Sequence, residues 1–183
     1  MSTKKWVLDS THSDVQFKIK HLVISTVNGS FKEFSATVEA DADDLTTAKV
    51  NFTAEVNSIT TNNEQRDGHL RTADFFDAAN HPQITFVSNT VERIDDENYK
   101  VHGIFTMRGV SKKIALNVEY GGTIVDPWGG TRIGFSITGK INRTDYGVSF
   151  GSIAEAGGPI LLGHDVAIHV STEFVAQAEA VAA

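Results

Sequence analysis

Val15-Gln16-Phe17-Lys18-Ile19-Lys20-His21-Leu22-Val23 alternates side chains of opposite character. Val15, Phe17, Ile19, His21 and Val23 share one face and Gln16, Lys18 and Lys20 the other, which is the two-residue period of a half-buried β-strand. Asn28-Gly29 follows, and a second alternating stretch runs from Ser30 to about Ala40. Asn-Gly between alternating segments is a strong hairpin signal, so a turn is expected at Asn28-Gly29.

The same period returns at Val50, Phe52, Ala54 and Val56, at Ile84 and Phe86, and at Tyr99, Val101, Gly103, Phe105 and Met107. It recurs at Ile114, Leu116, Val118 and Tyr120, at Ile133, Phe135, Ile137, Gly139 and Ile141, and at Val166, Ile168, Val170, Thr172 and Phe174. About eight antiparallel strands are predicted. Turns are expected at Asp95-Asp96-Glu97-Asn98, Arg108-Gly109, Asp126-Pro127-Trp128-Gly129-Gly130 and Gly157-Gly158-Pro159. Asn63 to Asp77 lacks the alternation and carries Leu70, Ala73 and Phe76 at helical spacing, so a short helical segment is expected around residues 63–79, ended by Asn80-His81-Pro82. The alanine-rich end, from about 176 to 183, is expected to fray.

With 183 residues and no dividing linker or repeat, the chain reads as one domain, 1–183, long enough to bury a core. An all-β chain of about eight strands hides its edges in a closed barrel or a two-sheet sandwich. Gly103 and Gly139, inside strands, suit a barrel's bends or a close ligand approach.

The net charge of −7, without a dense Lys/Arg run, gives no footprint for nucleic acid. Without cysteine there is no disulfide, catalytic thiol or thiolate metal site. The seven histidines show no compact ligand spacing, so neither a metal nor another cofactor is expected. After Lys4-Lys5 the apolar run Trp6-Val7-Leu8 stops at Asp9, too short for a secretory core, and no apolar run approaches a membrane-spanning length. The expected location is the cytoplasm.

Several blocks resemble one family in the expected order. They are Trp6-Val7-Leu8-Asp9 with His12-Ser13, Ser58-Ile59-Thr60-Thr61-Asn62, Arg66-Asp67-Gly68-His69-Leu70, Asp74-Phe75-Phe76-Asp77 and His81-Pro82-Gln83-Ile84-Thr85-Phe86. Gly103-Ile104-Phe105-Thr106-Met107-Arg108-Gly109 and Arg143-Thr144-Asp145-Tyr146-Gly147 continue the series. From roughly Trp6 to Phe174 the chain resembles the YceI-like, or polyisoprenoid-binding, proteins. The resemblance implies a lipocalin-like antiparallel barrel that binds a long-chain isoprenoid, such as a polyprenyl lipid or quinone precursor, or a fatty amphiphile. It also implies a homodimer in some members. The sequence departs from many relatives in lacking an export signal.

Phe17, Ile19, Phe52, Phe86, Phe105 and Phe135 lie on inward faces and are the candidate lining of a lipid cavity; packing a dry core is the competing reading of the same residues. Two polar residues fall in the inward phase. His21 is a core or mouth histidine or a head-group contact. Arg143 must meet a carboxylate, a backbone acceptor or an anionic head group, because burial without a partner is costly. Arg66, Asp67 and His69 cluster on the non-strand segment, where they contact a head group or form an Arg-Asp latch over the mouth.

The chain shows no nucleophile elbow, phosphate loop or His-Glu-x-x-His signature and is expected to bind lipid without catalysis. The competing readings are an enzyme acting on bound lipid through His21 or His69 with Asp67, and a stress-response interaction module with an incidental cavity.

Overall fold

A computed structural model describes residues 3–41, 44–152 and 161–177. The alternating stretches form β1 (Thr3–Leu8), β2 (Asp14–His21), β3 (Ser25–Phe31), β4 (Phe34–Asp41), β5 (Asp44–Glu55), β6 (Ile59–Thr60), β7 (Gln83–Arg93), β8 (Asn98–Met107), β9 (Val110–Val125), β10 (Thr131–Asn142) and β11 (Leu162–Ala176). All pairings are antiparallel, and the ring closes where Trp6, Val7 and Leu8 pair with Ala176, Val175 and Phe174.

The eleven segments are eight strands, because three of the eight are bent. β1 and β2 together flank β11, β4 pairs β1 while β3 pairs β2, and β5 pairs β4 while β6 pairs β3. The bends lie side by side at Asp9–Ser13, Lys32–Glu33 and Val56–Ser58. Lys32 N donates to Ser58 O and Glu55 N to Glu33 O, so the backbone groups freed by two of the bends satisfy each other. The result is the expected closed eight-stranded antiparallel barrel, with one short α-helix among the described residues.

The turn between the first two long strands is not at Asn28-Gly29. These residues lie inside β3, opposite Lys18 and Phe17, and the chain reverses at Leu22-Val23-Ile24. The glycine is needed for another reason: a Cβ at Gly29 would stand 2.2 Å from Cζ of Phe17. Val23, expected to face inward, is exposed in the turn. Gly103 and Gly139 similarly admit protein neighbours, since a Cβ would fall 2.4 Å from Val87 O at the first and 2.4 Å from Leu116 Cδ2 at the second.

The helical segment is one helix, α1 (Glu64–Leu70), capped by the Asn63 side chain on Arg66 N, followed by turns to Asn80. Ala73 is exposed, and the buried residues beyond the helix are Phe75 and Ala78. Val175 and Ala176, placed in or beside the frayed tail, are paired with β1. The rest of that tail, 178–183, and the expected Gly157-Gly158-Pro159 turn lie outside the described residues.

At the first bend, Arg132 binds three carboxylates: Asp9 at 2.9 Å, Asp126 at 2.8 Å and Glu173 at 2.8 Å. Hydrogen bonds from Thr11, His12 and Arg132 hold the Asp9 carboxyl well below the usual carboxylate range, while Asp9 raises the His12 imidazole above its ordinary value. The contribution of Asp9 is therefore full above its unfolded pKa near 3.8 and is lost as pH falls through the lower folded value. That of His12 is full below its unfolded value of 6.5 and is lost as pH rises through the raised folded value. At low ionic strength, urea midpoints measured against pH should show both losses, with Asp9→Asn diminishing both and His12→Asn removing the alkaline one while only reducing the acid one, since Thr11 and Arg132 still hold the Asp9 carboxyl down. Unaltered pH profiles in the two variants would refute the assignment.

Candidate functional site

The strand period that closes the barrel also turns one set of side chains inward, and they do not fill the space. A cavity of about 590 Å³ runs through the interior. Phe17, Ile19, Phe52, Phe86, Phe105 and Phe135 all line it. So do Leu116, Val118, Ile137, Ile168 and Val170 from β9, β10 and β11, which are only partly buried because their inner faces look onto open lumen. A second cluster of Trp6, Ala36, Val38, Ala40, Ile133 and Phe174 packs one side of the wall, with Ala36, Val38 and Phe174 also reaching the lumen.

Most of the polar lining gathers at one end of the barrel, with Gln16, Tyr99 and Thr172 placed away from it. His21 closes β2, Ser25 opens β3, Thr61 follows β6, Arg66 and His69 ride on α1, and Arg143 follows β10; all line the cavity. Leu162 pairs with His21 and Asn142 with Asp165, which brings the start of β11 to the same rim.

Arg143 is 3% exposed. Its Nε donates to Gly163 O at 2.7 Å, Nη1 to Val148 O at 2.9 Å and Nη2 to Leu162 O at 3.2 Å. Of the partners open to it in the sequence, backbone acceptors are the ones it meets, and among the described residues it has no carboxylate. A guanidinium has five N–H donors, so two remain beyond these three bonds. Burial pushes its pKa down from the ordinary arginine value.

Arg66 and Asp67 do not bond each other. The side chain of Thr61 stands between them: Arg66 Nε donates to Thr61 Oγ1 at 2.7 Å, and that hydroxyl donates to Asp67 Oδ1 at 2.6 Å. Asp67 is buried and off the cavity wall, and it also accepts from Thr61 N, so it ties α1 to the end of β6. The direct Arg66–Asp67 bond, one of the two readings of the cluster, is not made; Thr61 links the two side chains instead. His69 pairs with Asp74 at 2.9 Å rather than with Asp67, which removes the anticipated His69–Asp67 pair. Its ring meets Phe75 and Phe150 edge-on, each with centroids 5.0 Å away.

Phe75, Phe150, Thr61 and Leu161 are rim residues that sequence reasoning passed over. Thr61 and Phe75 lie in blocks that carry the family resemblance, but nothing in their spacing marks them as lining. Arg108, read as a turn residue, bonds Ala73 O and Gly147 O and so holds the α1 segment and the turn after β10 together. Asp9, His12 and Glu173 could offer three metal donors, a cluster not anticipated, but Arg132 already bonds both carboxylates there. Among the described residues no helix is long and apolar enough to cross a membrane.

A barrel of this kind has known counterparts. A UPF0312 protein of Staphylococcus epidermidis is 40% identical over 171 residues, covering 93% of this chain and 96% of the relative. The crystal structure of the Campylobacter jejuni YCEI protein is 39% identical and superposes with a TM-score of 0.77, over 93% of this chain and 96% of that one. A polyisoprenoid binding domain from Saccharophagus degradans shares the fold at 17% identity, with a TM-score of 0.69 over 94% of this chain and 98% of that domain. The YceI-like domain model matches residues 6–174, the span from the first closing strand to the last, and with it the chain belongs to the YceI-like family.

Proposed function

We propose that the barrel binds, and thereby carries or sequesters, a long-chain isoprenoid or similar amphiphilic lipid. The observation that carries this reading is the 590 Å³ cavity walled mainly by phenylalanine and aliphatic side chains, with the charged and imidazole groups of its lining at one end. Its size falls among ordinary ligand cavities, and its lining matches a molecule that is apolar along most of its length. The polyisoprenoid-binding description of the Saccharophagus degradans domain supports the same class of ligand.

The energetics favour length. Each buried methylene contributes about 0.8 kcal/mol, so ten contribute roughly 8 kcal/mol gross. Association costs at least ~4 kcal/mol, so a short tail binds weakly and a long one retains a surplus. Arg143, with N–H groups beyond its three carbonyl bonds, and Arg66 and His69 on the rim suit a head group that accepts hydrogen bonds, such as a quinone ring or a phosphate.

Native mass spectrometry of the freshly purified chain, before and after organic extraction, tests the proposal. A mass increment removed by extraction, and restored by added polyprenol or quinone precursor, is expected. No extractable amphiphile and no uptake would overturn it. The second reading, an enzyme acting on the bound lipid, draws on the His69–Asp74 pair beside the cavity. Turnover lost in His69→Ala with binding intact would favour that reading instead.

A further inference from the structure

The β2–β3 turn is built from residues that neither folding nor solubility asks for. Leu22 and Val23 occupy consecutive positions at φ 51° and 68°, where Asn-Gly is the favoured pair and a β-branched valine is strained. Val23 is 68% exposed and Ile24 87%. Unfavourable backbone and unfavourable solvation kept at one point are what functional sites hold.

The turn adjoins the polar rim of the cavity. Leu22 N donates to Leu161 O, and the exposed side chains of Leu161 and Phe150 both line the lumen. An apolar surface thus runs from the turn to the cavity wall.

Charge separates along the barrel in the same sense. From Val15 to Phe31 the hairpin carries Lys18, Lys20 and His21 and no acidic residue, in a chain with 23 acidic and 16 basic residues. The turns at the opposite end carry Asp41, Asp44, Asp95, Asp96, Glu97 and Asp126. The rim around the hairpin also carries the exposed Glu64, Asp74, Asp145 and Asp165, so a negatively charged plane attracts the hairpin itself, not the whole rim, and repels the opposite end.

We propose that Leu22, Val23 and Ile24 form a wedge that inserts into an anionic phospholipid bilayer and seats the cavity rim on it, so that lipid passes between bilayer and lumen without crossing water. The purpose of this docking rests on the lipid-binding reading above. The contact itself is measured separately.

The test uses the full chain and the variant Leu22→Asn/Val23→Gly/Ile24→Thr, which places Asn-Gly where φ is positive and alters no lining residue. Flotation with phosphatidylcholine–phosphatidylglycerol vesicles should show the natural chain bound, more weakly in high salt and on pure phosphatidylcholine. The variant should bind vesicles at least about tenfold less, since the exposed apolar side chains of Val23 and Ile24 are gone. Its melting temperature should be equal or higher, and its uptake of a pyrene-labelled polyprenol from solution unchanged.

Failure of the natural chain to bind anionic vesicles while it takes up the polyprenol would overturn the docking proposal and leave the cavity reading standing. Equal vesicle binding by the variant would overturn it too. So would a natural dimer that the triple variant converts to monomer, because a second copy would then cover the turn. Vesicle binding abolished by the variant, with no polyprenol uptake by either chain, would uphold docking and sink the cavity reading.

Discussion

Replacing Arg143 with methionine is expected to cost about 3–5 kcal/mol of stability, because three carbonyl groups would lose their donor at once and an unpaired buried acceptor costs roughly 1–3 kcal/mol. The three acceptors, Gly163 O, Val148 O and Leu162 O, belong to two chain segments, the start of β11 and the stretch after β10, which this guanidinium ties together beside the Leu162 N–Gly151 O and His164–Ser152 O bonds. Methionine fills similar volume, so the loss reports hydrogen bonding and not a cavity. For a domain of this size the melting temperature should fall by roughly 6–20 °C. Arg143→Lys keeps the charge but lacks the planar fork, and should recover only part of the loss. A melting temperature unchanged in Arg143→Met would show that the three bonds carry no stability. If the variant is rescued for study at low temperature, it should still take up a plain hydrocarbon chain while discriminating less between polyprenol and polyprenyl phosphate.

Arg143 also shows where sequence reading reaches its limit. Its inward phase after Ile141 is visible in the alternation, and so is the need for a partner. Which partner it takes depends on a turn that Asn142 caps through Thr144 N and on the return of β11, two features separated from each other in sequence by an unalternating stretch. The inward phenylalanines were legible for the opposite reason. Period two is local, so Phe17, Phe86 and Phe105 declare their face within five residues, and closure of the sheet then places them in one lumen.

Glycine misled where its cause was a neighbour across the sheet. Gly29 sits opposite Phe17 and leaves room for the ring, a requirement invisible unless the register is already known. The true turn, Leu22-Val23-Ile24, carries no turn chemistry at all. The three aligned bends were equally hidden, because each is stabilised by backbone groups of the next strand or by Arg132, whose partners Asp9, Asp126 and Glu173 come from distant parts of the chain. At the rim, Asp67 and His69 are close in sequence but answer to different partners, Thr61 and Asp74, so proximity along the chain suggested a pair that folding does not make.

Ile133 and Ile137 occupy the same strand and the same inward phase, yet the same substitution should separate them. Ile133 is buried in the second cluster with Trp6, Val38 and Phe174. An indole there must displace packed neighbours, and Ile133→Trp should cost about 1–3 kcal/mol. Ile137, opposite Val118 and Val170, faces the open cavity. The indole of Ile137→Trp can enter that space without strain, so stability should change by less than ~1 kcal/mol. Binding should suffer instead: if the ring displaces three methylenes of a bound chain, about 2.4 kcal/mol is lost, close to a fiftyfold weaker Kd. Urea denaturation and titration with a fluorescent polyprenol on both variants give the comparison. Ile137→Trp unfolding as easily as Ile133→Trp, with no change in lipid affinity, would mean that the lumen closes in solution and that the chain has no room for a guest.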